Sequence, residues 1–485
     1  MDNTSQRTIL FLIADTGAGH RSAANAIRNA IVLLSQKEQE EWHARQQNST
    51  GDIDTASPAQ ALPTYRIEIV DVFEEYSRFP LREAVKLYGP AIRYNPKIYG
   101  RVFHMSNEER SVTAVQNVAT PLIHNGLLRL FTGVQPDVIV SIHPMLNPVT
   151  IRALQDLGLP IPFLTVVTDL VSLHYSWFAP GADGYIVPTE QAKQVYLSRG
   201  LDPKRVHVLG MPIDPKFTRP TESKQELQRK FELQVGLPVV LLVGGGDGAG
   251  GLQDAVRAIS RAHLPVQLLI ITGRNRRLYA HLQRTKKNLH VSAKVFGFVQ
   301  NMPELMRASD VIVTKAGPGT ISEALVCELP IILSGYVPGQ EEGNVDYVLK
   351  NDVGILAHDS IELVDGLRRL VKPGSATLRR QRENARHLSR SHASFDIANC
   401  ILNYLPPAIQ PGVWQTGQLR KRRHLMSRTL RSSEARLRAL RRRLPRMSRV
   451  TFLKSPVVNR LSRLRTPQGL RHRFTRRTNK KDQEI

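Results

Sequence analysis

The sequence predicts an α/β protein with two doubly wound, Rossmann-like halves that face a cleft, followed by a basic C-terminal tail. Short apolar runs alternate with helix-like stretches along most of the chain, and this alternation is typical of βαβ units in a parallel sheet. Several runs end in glycine-rich loops. Since ligands bind such sheets at the carboxyl ends of their strands, those loops predict a cleft-facing site.

The first series of apolar runs predicts five buried strands, at residues 8–14, 65–70, 137–141, 163–167 and 184–187. After the first strand, apolar residues recur at helical spacing from Ala23 to Leu34. The polar stretch 36–63 predicts an exposed excursion before the second strand. Together these elements predict a first domain over residues 1–213.

A second series predicts strands at residues 238–243, 266–272, 291–296, 310–314 and 329–334. The two prolines around Asp214 interrupt regular structure between the series. We therefore expect a second domain over 214–405. Beyond it, residues 406–485 predict a tail that is basic and either amphipathic or disordered.

Composition limits the classes of protein that are possible. A chain of 485 residues can bury two or three cores. Cys327 and Cys400 are too few for a disulfide framework and wrongly spaced for zinc, which indicates a reducing compartment. No apolar stretch approaches the ~20 residues of a membrane-spanning helix. We expect a cytoplasmic protein that is soluble or peripheral to a membrane.

The first glycine loop, Asp15-Thr-Gly-Ala-Gly-His20, joins a strand to a helix. Gly17 and Gly19 would let the backbone approach a ligand closely, but the loop lacks the third glycine position and the later acidic residue of a dinucleotide-binding fingerprint. His20 is a candidate general base because imidazole titrates near neutral pH. The alternative is that His20 only caps or packs the loop.

Two more glycine loops predict a cradle for a diphosphate. Each follows a strand and opens a helix, where backbone N–H groups and the positive helix end favour an anion. Glu323 comes one helical turn later and suits the hydroxyls of a ribose. The alternative is that the loops are only tight turns. The candidate cradle residues are Gly245, Gly246, Gly248, Gly317, Pro318, Gly319 and Thr320.

These loops, with the segment from Val337 to Val345, resemble the monogalactosyldiacylglycerol synthase and processive diacylglycerol glycosyltransferase family, of the glycosyltransferase family 28 type. The resemblance extends over residues 8–400. It implies the GT-B fold and an inverting transfer of galactose or glucose from a UDP-sugar to the hydroxyl of 1,2-diacylglycerol. It implies no cofactor, because the UDP-sugar is a substrate.

The resemblance also implies roles for single residues. His20 would be the catalytic base, and Asp169 would orient His20 or the acceptor. Acceptor contacts would come from Gly17, Gly19, His143 and Trp177, the last of them with lipid. Donor contacts beyond the glycine loops and Glu323 would come from Arg274, Gly297, Phe298, Val299, Gln340, Glu341 and Asn344. For the last three residues the alternative is an ordinary solvated helix start.

Two features lie outside this resemblance. Asp52 and Asp54 have the spacing of a metal-binding carboxylate pair but lie in the polar excursion, so we expect no metal. Residues 419–485 contain 23 Lys and Arg against three acidic residues and include leucine stripes at helical spacing. Short basic amphipathic helices bind anionic membranes, so we expect peripheral attachment to the cytoplasmic face through this tail. Nucleic acid is disfavoured, because Phe452 and Phe474 are the only aromatic residues in 419–485.

Two rival functions stay open at this stage. One is transfer of a sugar to a polyprenyl-diphosphate-linked acceptor. The other is a non-catalytic protein that binds anionic lipid or nucleic acid through the tail. The Asp-Thr-Gly-x-Gly-His loop and the segment around Gln340 favour the diacylglycerol enzyme over both.

Overall fold

The computed structural model describes residues 6–15, 18–48, 62–86, 96–219, 222–244 and 251–406. Gly17, the second glycine loop with Gly245, Gly246 and Gly248, the Asp52 and Asp54 pair and the whole basic tail lie outside these ranges. Among the described helices, none is both long enough and apolar enough to cross a membrane.

The first half contains a six-stranded sheet whose neighbouring strands are all parallel, in the order β2-β1-β3-β4-β5-β6. Nearly every residue of β1 is buried, as a strand covered on both faces requires. The strands are β1 (Gln6–Ile13), β2 (Thr64–Asp71), β3 (Val138–Ser141), β4 (Phe163–Val166), β5 (Gly184–Val187) and β6 (Val206–Val208).

Helices cover both faces of this sheet. The first helix turns Ala23, Ile27 and Ile31 toward the sheet, and all three are buried. The helices are α1 (Ala18–Asn48), α2 (Val72–Tyr76), α3 (Leu81–Lys86), α4 (Pro96–Ser106), α5 (Glu109–Val134), α6 (Asn147–Leu157) and α7 (Glu190–Leu197).

The second half repeats the plan with a parallel sheet in the order β12-β11-β10-β7-β8-β9. Its strands are β7 (Val239–Val243), β8 (Gln267–Ile271), β9 (Ser292–Phe296), β10 (Val311–Thr314), β11 (Ile331–Leu333) and β12 (Gly354–Leu356). Its helices are α8 (Lys224–Lys230), α9 (Leu252–Arg261), α10 (Arg276–Thr285), α11 (Met302–Ala308), α12 (Pro318–Val326), α13 (Glu342–Lys350), α14 (Ser360–Val371), α15 (Ala376–Leu388) and α16 (Ala393–Asn403).

All ten predicted strands are present, and the predicted fold class is confirmed. Two strands were missed, β6 and β12, which are edge strands of three residues each. Runs of that length give no periodicity, so the apolar pattern could not identify them.

The last helix, α16, lies within the predicted second domain of 214–405 but packs against the first half. Ile397, Ala398 and Ile401 of α16 are buried in the core of the first half, in the same cluster as Ile27 of α1. Beyond the helix, the carbonyl of Pro406 accepts a 2.7 Å hydrogen bond from Arg7 Nη2. The chain therefore crosses back after α15, because the outer face of the first sheet offers α16 an apolar surface to cover.

Candidate active site

His20 lies in the first turn of α1, directly after β1 and the first glycine loop. The loop is held by Asp71, whose Oδ2 accepts a 2.9 Å hydrogen bond from the backbone N–H of Asp15. The other oxygen of Asp71 caps α2 by accepting from Glu74 N at 3.0 Å. A carboxylate at the end of β2 therefore fixes the path of the chain into His20.

Two neighbouring strand ends bring other polar groups to the imidazole. Thr168, which follows β4, places its Oγ1 3.2 Å from His20 Nδ1. His143, which follows β3, meets His20 edge to face with ring centroids 4.8 Å apart. Phe73 packs on the other side of His143, at 5.5 Å between centroids. The carboxyl edge of the first sheet thus brings His20 and His143 into contact, with Thr168 beside the first ring and Phe73 beside the second.

Both imidazoles are neutral at neutral pH. Burial lowers the pKa of His20 from 6.5 to about 4, against opposing effects from a hydrogen bond to the Ile142 backbone and from the Asp15 carboxylate. Burial also lowers the pKa of His143 well below its usual value, and the neighbouring His20 adds to this shift. A neutral imidazole has a ring nitrogen that can accept a proton, as a general base requires.

His143 also has a polar atom without a protein partner. Its Nδ1 is buried and forms no hydrogen bond within the described part of the chain. Because leaving a buried polar atom unpaired costs about 1–3 kcal/mol, such an atom is a candidate contact for a bound molecule. This placement agrees with the acceptor contact predicted for His143, which stays a prediction.

Asp169 and Trp177 differ from the sequence-based expectation. Trp177 is only 1% exposed, so the predicted contact of its side chain with lipid is wrong. Its Nε1 donates a 2.6 Å hydrogen bond to Asp169 Oδ2. The side chain that bonds the His20 imidazole is Thr168 and not Asp169, so for Asp169 the alternative role of orienting the acceptor stays a prediction. Residues 168 and 169 are adjacent, and only the side-chain directions distinguish their roles.

The pKa of Asp169 is raised from 3.8 to about 6. Burial is the main cause, the Trp177 hydrogen bond opposes it, and the carboxylate of Glu341 raises the pKa further. Glu341 belongs to the second half, so the segment that carries Asp169 lies close to that half. Gly343 confirms this closeness, because a Cβ added there would lie 2.0 Å from Ser172 Oγ.

In the second half, α12 begins without a side-chain cap. Its N-cap is Gly317, which has no side chain to cover the first N–H groups, and Pro318 follows at the first helical position. A Cβ added at Gly319 would meet nothing within 4 Å. The first turn of α12, which includes Thr320, therefore has the uncovered N–H groups that bind phosphate at helix ends.

Glu323 lies one turn further along α12, and burial raises its pKa from 4.5 to about 7. Lys216 opposes this shift, whereas the carboxylate of Asp214 adds to it. Asp214 and Lys216 belong to the segment that joins the two halves, and Lys216 Nζ also donates to the carbonyl of Gln300 at 2.9 Å. No sequence pattern indicated that this linker would lie near Glu323.

Glu341 and Asn344 have protein partners. Glu341 is 4% exposed, and its two oxygens accept hydrogen bonds from Lys315 Nζ at 2.6 Å and from Val337 N at 2.9 Å. Asn344 Nδ2 donates to the carbonyl of Ala316 at 2.9 Å. These two side chains tie the loop after β10 to the loop after β11, so each has a structural role whether or not it also contacts a sugar.

Arg274 and Phe298 form a flat surface at the ends of β8 and β9. The guanidinium carbon of Arg274 lies 5.6 Å from the ring centroid of Phe298, and Phe298 is 64% exposed. Gly297 comes just before it, close to the carbonyl of Gly273, while Val299 packs against the core of the second half. A cation above an exposed aromatic ring suits contact with a planar base. The nucleobase contact expected from the sequence stays a prediction.

Comparison with known proteins identifies the family. The model of the family described as monogalactosyldiacylglycerol (MGDG) synthase matches residues 20–213, and that of the glycosyltransferase family 28 C-terminal domain matches residues 239–396. Probable monogalactosyldiacylglycerol synthase 2, chloroplastic, of Oryza sativa subsp. japonica is 35% identical over 405 residues, which cover 81% of this chain and 80% of the relative. The chain belongs to the monogalactosyldiacylglycerol synthase family.

Other similarities agree with this assignment. Monogalactosyldiacylglycerol synthase 3, chloroplastic, of Arabidopsis thaliana is 34% identical over 408 residues, which cover 81% of each chain. The crystal structure of the glycotransferase of kitacinnamycin aligns with a TM-score of 0.51 at 14% identity, covering 84% of this chain and all of that one. This synthase-family member therefore has the GT-B fold and is a glycosyltransferase, as its sequence predicts.

Three residues of the site were not predicted in the roles that they take, namely Thr168 beside His20, Lys315 beside Glu341 and Tyr99 beside Gln340. Each is distant in sequence from its partner, so no local pattern could reveal it. Within the described ranges, no group of three or more His, Cys, Asp or Glu residues is arranged to hold a metal ion.

Proposed function

We propose that this protein transfers a hexose from a UDP-hexose to the free hydroxyl of 1,2-diacylglycerol, with inversion, to form a monoglycosyldiacylglycerol. The names of its relatives support galactose as the first donor to test. The observation that carries the proposal is that one half contains a neutral His20 at the edge of its sheet, while the other half contains the uncapped N-terminus of α12 with Glu323 one turn further on.

In the proposed step, a ring nitrogen of His20 accepts the proton of the diacylglycerol hydroxyl as its oxygen attacks the anomeric carbon. The bond from that carbon to the β-phosphate oxygen breaks, and UDP leaves with the electron pair. N–H groups at the start of α12 stabilise the charge that develops on the diphosphate. No cofactor is needed in this scheme, since the sugar nucleotide is itself a substrate.

The direct test offers UDP-galactose and UDP-glucose separately to the purified protein with diacylglycerol vesicles. Products are identified by mass spectrometry, and the anomeric configuration by NMR. We expect a β-linked monoglycosyl product with one donor preferred. A polyprenyl-diphosphate acceptor forms the rival arm of the same experiment. Transfer to that acceptor alone, or to neither, would refute the proposal.

We further propose that the enzyme is peripheral on the cytoplasmic face of a membrane, where its acceptor resides. The part of the basic tail predicted to bind anionic lipid lies outside the described residues. In the first half, Ile98, Val102 and Met105 recur at helical spacing on α4 and are 54%, 56% and 73% exposed. Exposed apolar residues next to cations such as Arg101 suit an anionic bilayer.

Cys327 and Cys400 are unpaired, in agreement with a reducing compartment.

Vesicle co-sedimentation separates these two surfaces. We expect the double variant Val102→Ser/Met105→Ser to lose binding to anionic vesicles, whereas Ile361→Ser, at an exposed apolar residue of the second half, should bind normally. A chain truncated at residue 419 tests the tail in parallel. If neither change reduces binding at low or high salt, both proposed surfaces are refuted.

A further inference from the structure

Lys315 is a charged residue of the second half that has no role in the proposed step. It follows β10 directly, and its Nζ donates a 2.6 Å hydrogen bond to Glu341 Oε1. A Cβ built on Gly317, the N-cap of α12, would lie 3.8 Å from the same Nζ. The ammonium group therefore lies beside the start of α12, where the proposed function places the diphosphate.

The ion pair leaves part of this ammonium group accessible. Glu341 is buried, whereas 37% of the Lys315 side chain is exposed. An ammonium group has three N–H donors, and within the described residues Glu341 is the only side chain or carbonyl that bonds this one. Lys315 can therefore keep its bond to Glu341 and also donate to an anionic ligand.

The backbone at the start of α12 directs further donors to the same place. Pro318 has no N–H, and the N–H of Gly317 donates to the carbonyl of Lys315 at 2.7 Å. The first helical N–H groups that no side chain caps are those of Gly319 and Thr320. These groups carry only the partial positive charge of a helix end, and a lysine beside them adds a full charge.

We propose that the ammonium group of Lys315 binds the diphosphate of the sugar nucleotide and stabilises the charge that leaves with UDP. This inference rests on the proposed function, in which the donor is a UDP-hexose. When the bond from the anomeric carbon to the β-phosphate oxygen breaks, the electron pair stays on the diphosphate, so its negative charge increases. A fixed cation therefore stabilises the transition state more than the ground state and raises kcat as well as affinity.

Glu341 acts in this scheme as a positioning residue for Lys315. Its Oε2 accepts a 2.9 Å hydrogen bond from Val337 N while its Oε1 holds Nζ. The carboxylate is thus anchored to the loop after β11, and it limits the rotamers of a long side chain before a ligand binds. Ordering a free lysine at the moment of binding would cost conformational entropy.

The test compares Lys315→Met with Lys224→Met. Lys224 is a matched control because it forms an ion pair with Asp310, just before the same strand β10, and 34% of its side chain is exposed. Calorimetric titration of each full-length variant, without acceptor, gives the Kd for UDP, and ligand-observed NMR gives the Kd for uridine. For Lys315→Met we expect the Kd of UDP to rise about tenfold to a hundredfold, the scale of a hydrogen bond between charged groups. The Kd of uridine, which has no phosphate, should not change, and Lys224→Met should change neither.

A second pair of variants separates the lost cation from the carboxylate that it leaves unpaired. Lys315→Met leaves the buried Glu341 without its partner, whereas Lys315→Met/Glu341→Gln removes that charge as well. Measured against Glu341→Gln alone, the double variant should still bind UDP about tenfold or more weakly. In hexose transfer, kcat of Lys315→Met should also fall about tenfold or more at saturating donor, since the charge on the diphosphate grows in the transition state.

Binding of UDP is measured without acceptor, so the outcomes for Lys315 and for the proposed function are distinct. If the wild-type protein binds UDP but transfers no hexose to diacylglycerol, the proposed function fails whatever Lys315 does to binding. The inference is overturned by any of three results: Lys315→Met binds UDP as Lys224→Met does, uridine affinity falls in parallel with UDP affinity, or the loss of UDP affinity disappears in the Glu341→Gln background.

Discussion

Glu323 should make donor binding depend on pH near neutrality. Burial raises the pKa of this carboxyl to about 7, so its charged form is lost as the pH falls through that value. A carboxylate accepts hydrogen bonds from ribose hydroxyls more strongly than the neutral acid does. We therefore predict that the affinity for a UDP-hexose decreases as the pH is lowered from about 8 to about 6.

The magnitude follows from the titration curve. With a pKa of about 7, the carboxyl is about 90% ionised at pH 8 and about 10% ionised at pH 6. If only the ionised form binds the ribose tightly, the apparent Kd rises about tenfold over this interval, which corresponds to about 1.4 kcal/mol. An unperturbed glutamic acid, with a pKa near 4.3, would give almost no change over the same interval.

Isothermal titration calorimetry with a UDP-hexose, in the absence of acceptor, measures the effect. The sugar nucleotide is preferable to UDP because a terminal phosphate itself titrates near pH 6. Glu323→Gln should bind more weakly at pH 8 and show a flat profile. Glu328→Gln is the control, since Arg386 holds the pKa of that partly exposed carboxyl below its usual value. A flat wild-type profile, or a sloped one in Glu323→Gln, would refute the reasoning.

Three further predictions concern the cleft. His20→Ala should lower kcat about 10²-fold or more and leave UDP affinity intact, as measured by steady-state kinetics and calorimetry; unchanged turnover in a folded variant would contradict its role as base. Asp169→Asn should raise the unfolding temperature at pH ~7.5 but not at pH ~4, because folding raises the pKa of Asp169 from 3.8 to about 6, so that the folded state loses stability as the pH rises through this range and the whole loss persists above it. Equal shifts at both pH values would reject that cause. Gly343→Ala should destabilise the protein by about 1–3 kcal/mol in urea unfolding, since its Cβ would strike Ser172; wild-type stability would show that the contact gives way.

The low pKa of His20 has a consequence for the mechanism. Because burial keeps the imidazole neutral down to about pH 4, the base should be available across the physiological range, and the acid limb of activity should reflect Glu323 before His20. The His20 ring is oriented by a 3.2 Å hydrogen bond between its Nδ1 and Thr168 Oγ1. From the sequence, the carboxylate of Asp169 was a candidate for this role. Thr168 therefore orients His20 without placing a negative charge beside it.

The architecture and the positions of the glycine loops could be predicted from the sequence. Apolar runs of four to seven residues between glycine loops and helix-like stretches identified ten of the twelve strands in the described residues, because burial on both faces makes parallel strands continuously apolar. The motifs around His20, Gly317 and Glu323 also pointed to the family, since these local patterns resemble the motifs of that family.

The pairs of side chains that meet could not be predicted from the sequence. Trp177 is enclosed and holds Asp169, Tyr99 contacts Gln340 from 241 residues away, and α16 returns to cover the first sheet. Tyr99 and α16 meet partners that are distant in sequence. Thr168 and Asp169 are adjacent, but their side chains bond different partners. Sequence periodicity shows which face of an element is buried, but the partner on that face depends on how the two halves pack.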